Sequence, residues 1–148
     1  MTDCTNCSSR REFMHVAALG LALLPIVFVD GIAEGAEQKC PFPAADGVTI
    51  DRKQQVIIVR MSGQVYAFNL SCPHENTALK WLPKDHRFQC PKHGSEYQPN
   101  GTFITGRATR NMDRLAIRRD GNDLFVDLSH IIKSDTNPAG WAAAAIAV

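Results

Sequence analysis

Ser71-Cys72-Pro73-His74 and Cys90-Pro91-Lys92-His93-Gly94-Ser95, with fifteen residues between His74 and Cys90, set a Cys-x-His and a Cys-x-x-His close together in the chain. Two thiolates and two imidazoles on paired loops make a metal site. Zinc would gather all four around one ion. An iron–sulfur cluster would divide them, two thiolates on one iron and two imidazoles on the other. The residue types alone leave both open. Each pair holds one Cys and one His, so in a cluster each loop gives one ligand to each iron.

Working outward from these loops, the chain reads as short strands of β-branched and aromatic residues broken by turn signals. Gln55 to Arg60 and Val65 to Phe68 flank Met61-Ser62-Gly63 as a hairpin. Arg87-Phe88-Gln89 is a further strand, and Asn100-Gly101 turns the chain into Thr102-Phe103-Ile104. Leu115-Ala116-Ile117 and Leu124 to Leu128 flank Asp120-Gly121-Asn122 as a second hairpin. This pattern predicts an all-β antiparallel sandwich or barrel. The Ala-rich stretch Trp141 to Val148 is expected to form one or two helical turns. The expected domains are 1–36, 37–135 and a tail, 136–148.

Composition narrows the function classes. The 148 residues are 45% hydrophobic and 21% charged, with a formal net charge of +1. No dominant field steers the chain to nucleic acid. No apolar run reaches 18 residues free of charge, which excludes a multi-span membrane protein. Five cysteines cannot all pair within the chain.

Residues beyond the four donors carry a resemblance. Leu79, Trp81, Phe88, Cys90-Pro91-Lys92-His93-Gly94-Ser95-x-Tyr97, Gly101 and Gly106-x-Ala108, together with Cys72-Pro73-His74, resemble the Rieske iron–sulfur family over about residues 55–128. The likeness is closest to its high-potential group in cytochrome bc and b6f complexes. The resemblance implies a small cluster-binding subdomain inserted in the β domain, and a [2Fe–2S] cluster. By it, Cys72 and Cys90 bind the inner iron, and His74 and His93 the outer one. Ser95 matches the position whose hydroxyl bonds a bridging sulfide. Tyr97 matches the position whose phenol bonds a cysteine sulfur. Imidazole ligation raises the potential into a range of roughly −150 to +300 mV, and bonds to the sulfurs push it upward.

The chain also departs from that family. Thr77 and Lys92 stand where the bc-type members carry two more cysteines, so the disulfide between the cluster loops is absent. Packing by Leu79, Trp81, Pro73 and Pro91 is expected to hold the loops instead. Gly106-Arg107-Ala108-Thr109 replaces Gly-Pro-Ala-Pro. Glu75, Lys80, Lys84 and Lys92 charge the tip, which argues for a soluble or peripheral partner over quinol oxidation.

Ser9-Arg10-Arg11-Glu12-Phe13, the apolar run Val16 to Val29 and the small residues Gly31 to Ala36 have the order of an export signal. The arginine pair resembles the twin-arginine (Tat) pattern. The segment reads either as cleaved after Ala33 or as retained, a single N-terminal anchor helix. The expected location is the periplasmic side of a bacterial inner membrane. Expected partners are redox proteins: a catalytic large subunit, and a cytochrome of c or b type. The expected role is electron transfer within a complex, with a quinol-oxidising subunit or a zinc-binding structural module as alternatives. Arg114, Arg118 and Arg119 read as a solvated face, and Trp81 and Trp141 as packing residues. Cys4, Cys7, Cys40, His15, His86 and His130 receive no ligand role.

Overall fold

A computed structural model describes residues 36–148. The arginine pair, the apolar run after it, the expected N-terminal helix, Cys4, Cys7 and His15 lie outside the described residues. Among the described residues, eleven strands and one short helix follow one another as β1 (Glu37–Pro41), β2 (Gly47–Asp51), β3 (Val56–Met61), β4 (Gln64–Asn69), β5 (Lys80–Leu82), β6 (Arg87–Gln89), β7 (Glu96–Tyr97), β8 (Phe103–Thr105), β9 (Arg114–Asp120), β10 (Asp123–Ile132), α1 (Pro138–Ala143) and β11 (Ile146–Ala147).

The larger sheet has the order β1-β10-β9-β4-β3-β2, with β11 also paired to β4. Every pairing is antiparallel. Its end strands approach each other: Gln38 of β1 donates Nε2 to Asp51 Oδ2 of β2 at 3.2 Å. The sheet therefore curls toward a closed barrel, the all-β architecture expected. A second sheet, β5-β6-β7-β8, is inserted between β4 and β9. This is a small subdomain that carries the two Cys/His loops.

Strand β3 reads Val-Ile-Ile-Val, and all four side chains are buried. The pleat sends them alternately to two faces. Val56 and Ile58 join Val65, Ala67, Leu115, Leu124 and Val126 inside the barrel. Ile57 and Val59 join Tyr66, Phe68 and Leu70 on the other face, in one cluster with Cys72, Leu79, Phe88, Cys90 and Tyr97. The inserted sheet and the barrel thus share one core. The hairpin between β3 and β4 turns at Ser62 (φ 54°) and Gly63 (φ 73°), the two positive angles that a tight hairpin requires.

Three expectations are corrected. Strands β1, β2, β5 and β7 were not expected. Glu37–Pro41 lies half out of the core and ends in proline, so it has no apolar alternation to read. The helix begins at Pro138, where Asn137 Oδ1 accepts the Gly140 amide at 2.9 Å and proline occupies the first turn. It stops at Ala143, and Ile146 and Ala147 pair with Val65 and Gln64 of β4. Alanine propensity yields there to an open strand edge. Arg114 is not solvated: it is 4% exposed. Its guanidinium lies 3.7 Å from the Trp141 ring and 4.6 Å from Tyr66, and it donates to the carbonyls of Trp141 (2.6 Å) and Asn100 (2.9 Å). The 136–148 segment is thereby fastened to the barrel.

Candidate metal centre

The two loops are built alike. In the first, the Cys72 amide donates to Thr77 O (2.8 Å) and the Asn76 amide to Cys72 O (2.9 Å). In the second, the Cys90 amide donates to Ser95 O (2.8 Å) and the Gly94 amide to Cys90 O (2.9 Å). Each loop therefore closes on itself around its cysteine. The fifth residue of each takes a left-handed conformation, Asn76 at φ 52° and Gly94 at φ 67°. Asparagine and glycine are the residues that tolerate it. The first loop leaves β4 through Leu70, which is fully buried. The second is the turn of the β6–β7 hairpin.

This backbone sends the cysteines inward and the histidines outward. Cys72 and Cys90 are 0% and 1% exposed. Burial pushes the Cys72 thiol up, and the neighbouring Cys90 acts the same way. The Tyr97 hydroxyl and the His74 amide oppose them. Two sulfurs crowded in an apolar pocket resist becoming two thiolates unless a cation joins them. His74 and His93 meet at the rim with their Nδ1 atoms 3.2 Å apart and ring planes crossed at 79°. Two ring nitrogens about 2.1 Å from one metal ion at a tetrahedral angle lie about 3.4 Å apart. The imidazole pair therefore has the spacing of two ligands to a single ion, with both thiols set deeper. The donor set and its division into an inner pair and an outer pair fit a binuclear cluster.

Ser95 closes the second loop and Tyr97 follows it on β7, both fully buried. Ser95 Oγ accepts the amides of Arg107 (3.1 Å) and Ala108 (3.0 Å). Its lone pairs are taken, and its proton remains to donate. The Tyr97 hydroxyl is 3.4 Å from Cys72 Sγ. Burial first, and then the Cys72 sulfur, hold the phenol far above its ordinary range. It stays a donor, and the bond strengthens as the sulfur gains negative charge. Leu79 is in the core and Trp81 packs on Phe88 at 4.8 Å, as expected of loop supports.

Two contributors were missed by sequence reading. The loop around Gly106 braces the second metal-binding loop through Ser95. Glu75 and Lys92, read only as tip charges, form an ion pair of 2.6 Å between the two loops. They stand 17 positions apart in the chain, so no local pattern announces the pairing. Among the described residues Cys40, Cys72 and Cys90 are free thiols. Cys40 lies on β1, where Sγ contacts Leu124 O at 3.6 Å. His86 stacks edge-on against Trp81 at 6.2 Å. Among the described residues no helix is long and apolar enough to cross a membrane.

Comparison with known proteins places the chain. The family model for the Rieske [2Fe-2S] domain matches residues 32–119. The cytochrome b6-f complex iron-sulfur subunit of Synechococcus sp. (strain JA-3-3Ab) is 34% identical over 59 residues, covering 40% of this chain and 34% of that protein. The 3-phenylpropionate/cinnamic acid dioxygenase ferredoxin subunit of Shigella flexneri is 26% identical over 95 residues, covering 60% of this chain and 90% of that protein. Among solved structures, the cyanobacterial plasma membrane Rieske protein PetC3 from Synechocystis PCC 6803 is 31% identical. It covers 53% of this chain and 82% of that one, with a TM-score of 0.45. The match spans about a third of the length of the b6-f subunits.

Proposed function

From the premise that this chain belongs to the Rieske [2Fe–2S] family of electron-transfer proteins, we propose that it is the small, electron-carrying subunit of an exported redox complex. Cys72 and Cys90 would hold the inner iron, and His74 and His93 the outer one. When bound, the cluster accepts and returns one electron. The observation that carries this reading is the convergence of the two Nδ1 atoms at 3.2 Å above two buried thiols. The histidine edges remain partly exposed, so a partner can approach the outer end while the thiols stay dry. The buried Ser95 and Tyr97 hydroxyls favour the reduced form by donating toward charge that grows on the sulfurs.

Two kinds of relative bear on the choice of complex: iron-sulfur subunits of cytochrome b6-f complexes and a dioxygenase ferredoxin subunit. Ser95 and Tyr97 favour a high-potential role over that of a ferredoxin. The charged rim of Glu75, Lys80, Lys84 and Lys92, all exposed, favours docking to a catalytic large subunit or a cytochrome c over insertion at a membrane quinol site. The export pattern of residues 9–29 supports a periplasmic location.

Metal analysis and paramagnetic resonance test the reading. The purified protein is expected to contain two irons and two acid-labile sulfides, with a resonance signal after dithionite reduction. Zinc without sulfide would replace the proposal with the structural-module alternative. Tyr97→Phe gives a finer test. It removes one donor to Cys72 and fills the same volume. A differential bond of about 1 kcal/mol corresponds to about 40 mV in a one-electron couple, so the potential is expected to fall by tens of millivolts. An unchanged potential removes Tyr97 from the assignment.

A further inference from the structure

The two metal-binding loops share no covalent link, since the described cysteines are free. Their backbone hydrogen bonds close within each loop. Beside the meeting of the His74 and His93 rings, an ion pair crosses between them at the rim, Lys92 Nζ to Glu75 Oε2 at 2.6 Å. Its position matters. Glu75 follows His74 directly and Lys92 precedes His93 directly. The ion pair therefore fixes the separation of the loops one peptide bond from each imidazole. The same Glu75 oxygen lies 3.8 Å from His93 Nδ1. His74, Glu75 and His93 present ligand atoms within 4.8 Å of one another. The Lys92 ammonium on Oε2 sets a positive charge against this carboxylate.

Resting on the proposed cluster assignment, we propose that Glu75 and Lys92 are positioning residues: an ionic clasp that holds the two cluster loops in register and cancels the carboxylate charge at the histidine edge. The pair is half exposed, with 45% and 56% of the side chains in solvent, so its hold is modest and sensitive to salt.

The test compares wild type, E75Q, K92Q and the charge-reversed E75K/K92E, all purified with the cluster. The first readout is the rate at which visible absorption bleaches in the presence of an iron chelator. Each single variant is expected to bleach about two- to fivefold faster at low ionic strength, the range for an exposed pair. Molar salt, with a screening length of about 3 Å, should bring wild type to the rate of the single variants. E75K/K92E should return to the wild-type rate. The second readout is the reduction potential. E75Q should raise it by removing negative charge near the outer iron, K92Q should lower it, and the reversed pair should fall between them. Single variants that bleach at the wild-type rate, or a reversed pair as fast as either single one, overturn the clasp. Wild-type protein that never carries an iron–sulfur spectrum overturns the cluster assignment and the clasp together. Loaded wild type with indifferent variants overturns the clasp alone.

Discussion

Gly106→Ala is expected to strip the protein of most of its cluster and to lower its thermal midpoint by ten degrees or more. A methyl group built on Gly106 would lie 2.4 Å from Ser95 Cα, 2.8 Å from Ser95 N and 2.9 Å from Ser95 Oγ. Two of these neighbours are backbone atoms, so no rotamer change relieves the clash. Gly106 also sits at φ 109°, where a side chain is strained regardless of space. Overpacking and backbone strain each cost about 1–3 kcal/mol. Their sum is a large share of the 5–15 kcal/mol that stabilises an ordinary domain. The damage falls on the centre itself, because relief requires the 106–108 loop to part from Ser95. The Arg107 and Ala108 amides would then lose their acceptor, and the Ser95 hydroxyl its aim. Iron content per chain and a melting curve measure the two effects. A variant that loads fully and melts with the parent would show that this close approach has no part in building the site.

Arg114→Met should rank next, with a loss of about 2–4 kcal/mol. Arg114 is a buried cation with no carboxylate partner among the described residues. Burial pulls its guanidinium down to about 10, so it remains charged throughout the neutral range. Its charge is met by ring faces and carbonyl oxygens, those of Trp141 and Tyr66, with Phe68 at 5.8 Å, and the oxygens of Trp141, Ala142 and Asn100. Replacing a buried charge by an apolar side chain is often harmless. Here it would leave buried carbonyls without their donor, and it would cut β9 from both α1 and the loop that leads into β8. The melting midpoint should fall by roughly 10 °C. Trp141, freed from its stack, should emit at longer wavelength. Unchanged emission together with an unchanged midpoint would mean that the tail is held by the β11–β4 pairing and the 2.7 Å bond from Trp141 Nε1 to Met112 O.

The legible parts of this chain were those whose chemistry is local. Gln55 to Arg60 and Val65 to Phe68 around Met61-Ser62-Gly63 announce a hairpin, because short runs of β-branched and aromatic residues and the turn between them are written in adjacent residues. The paired Cys and His announce a metal centre for the same reason: thiolate and imidazole at ligand spacing have few other uses. Strands β1 and β7 were illegible, since one lies half out of the core and the other is only two residues long. The Ala-rich tail was legible only in part: a short helix forms at Pro138–Ala143, but Ile146 and Ala147 join β4, because helix propensity is weak compared with a strand edge waiting to be paired.

By itself, then, the sequence determined the placing of one Cys and one His on each of two like loops, and the β class of the chain, since each follows from neighbouring residues. Only the tertiary structure decided that Arg114 is buried, that Gly106 must approach Ser95, and that Glu75 meets Lys92. Those contacts join residues far apart in the chain, and whether a charge is solvated, stacked or paired depends on what the folded backbone brings beside it.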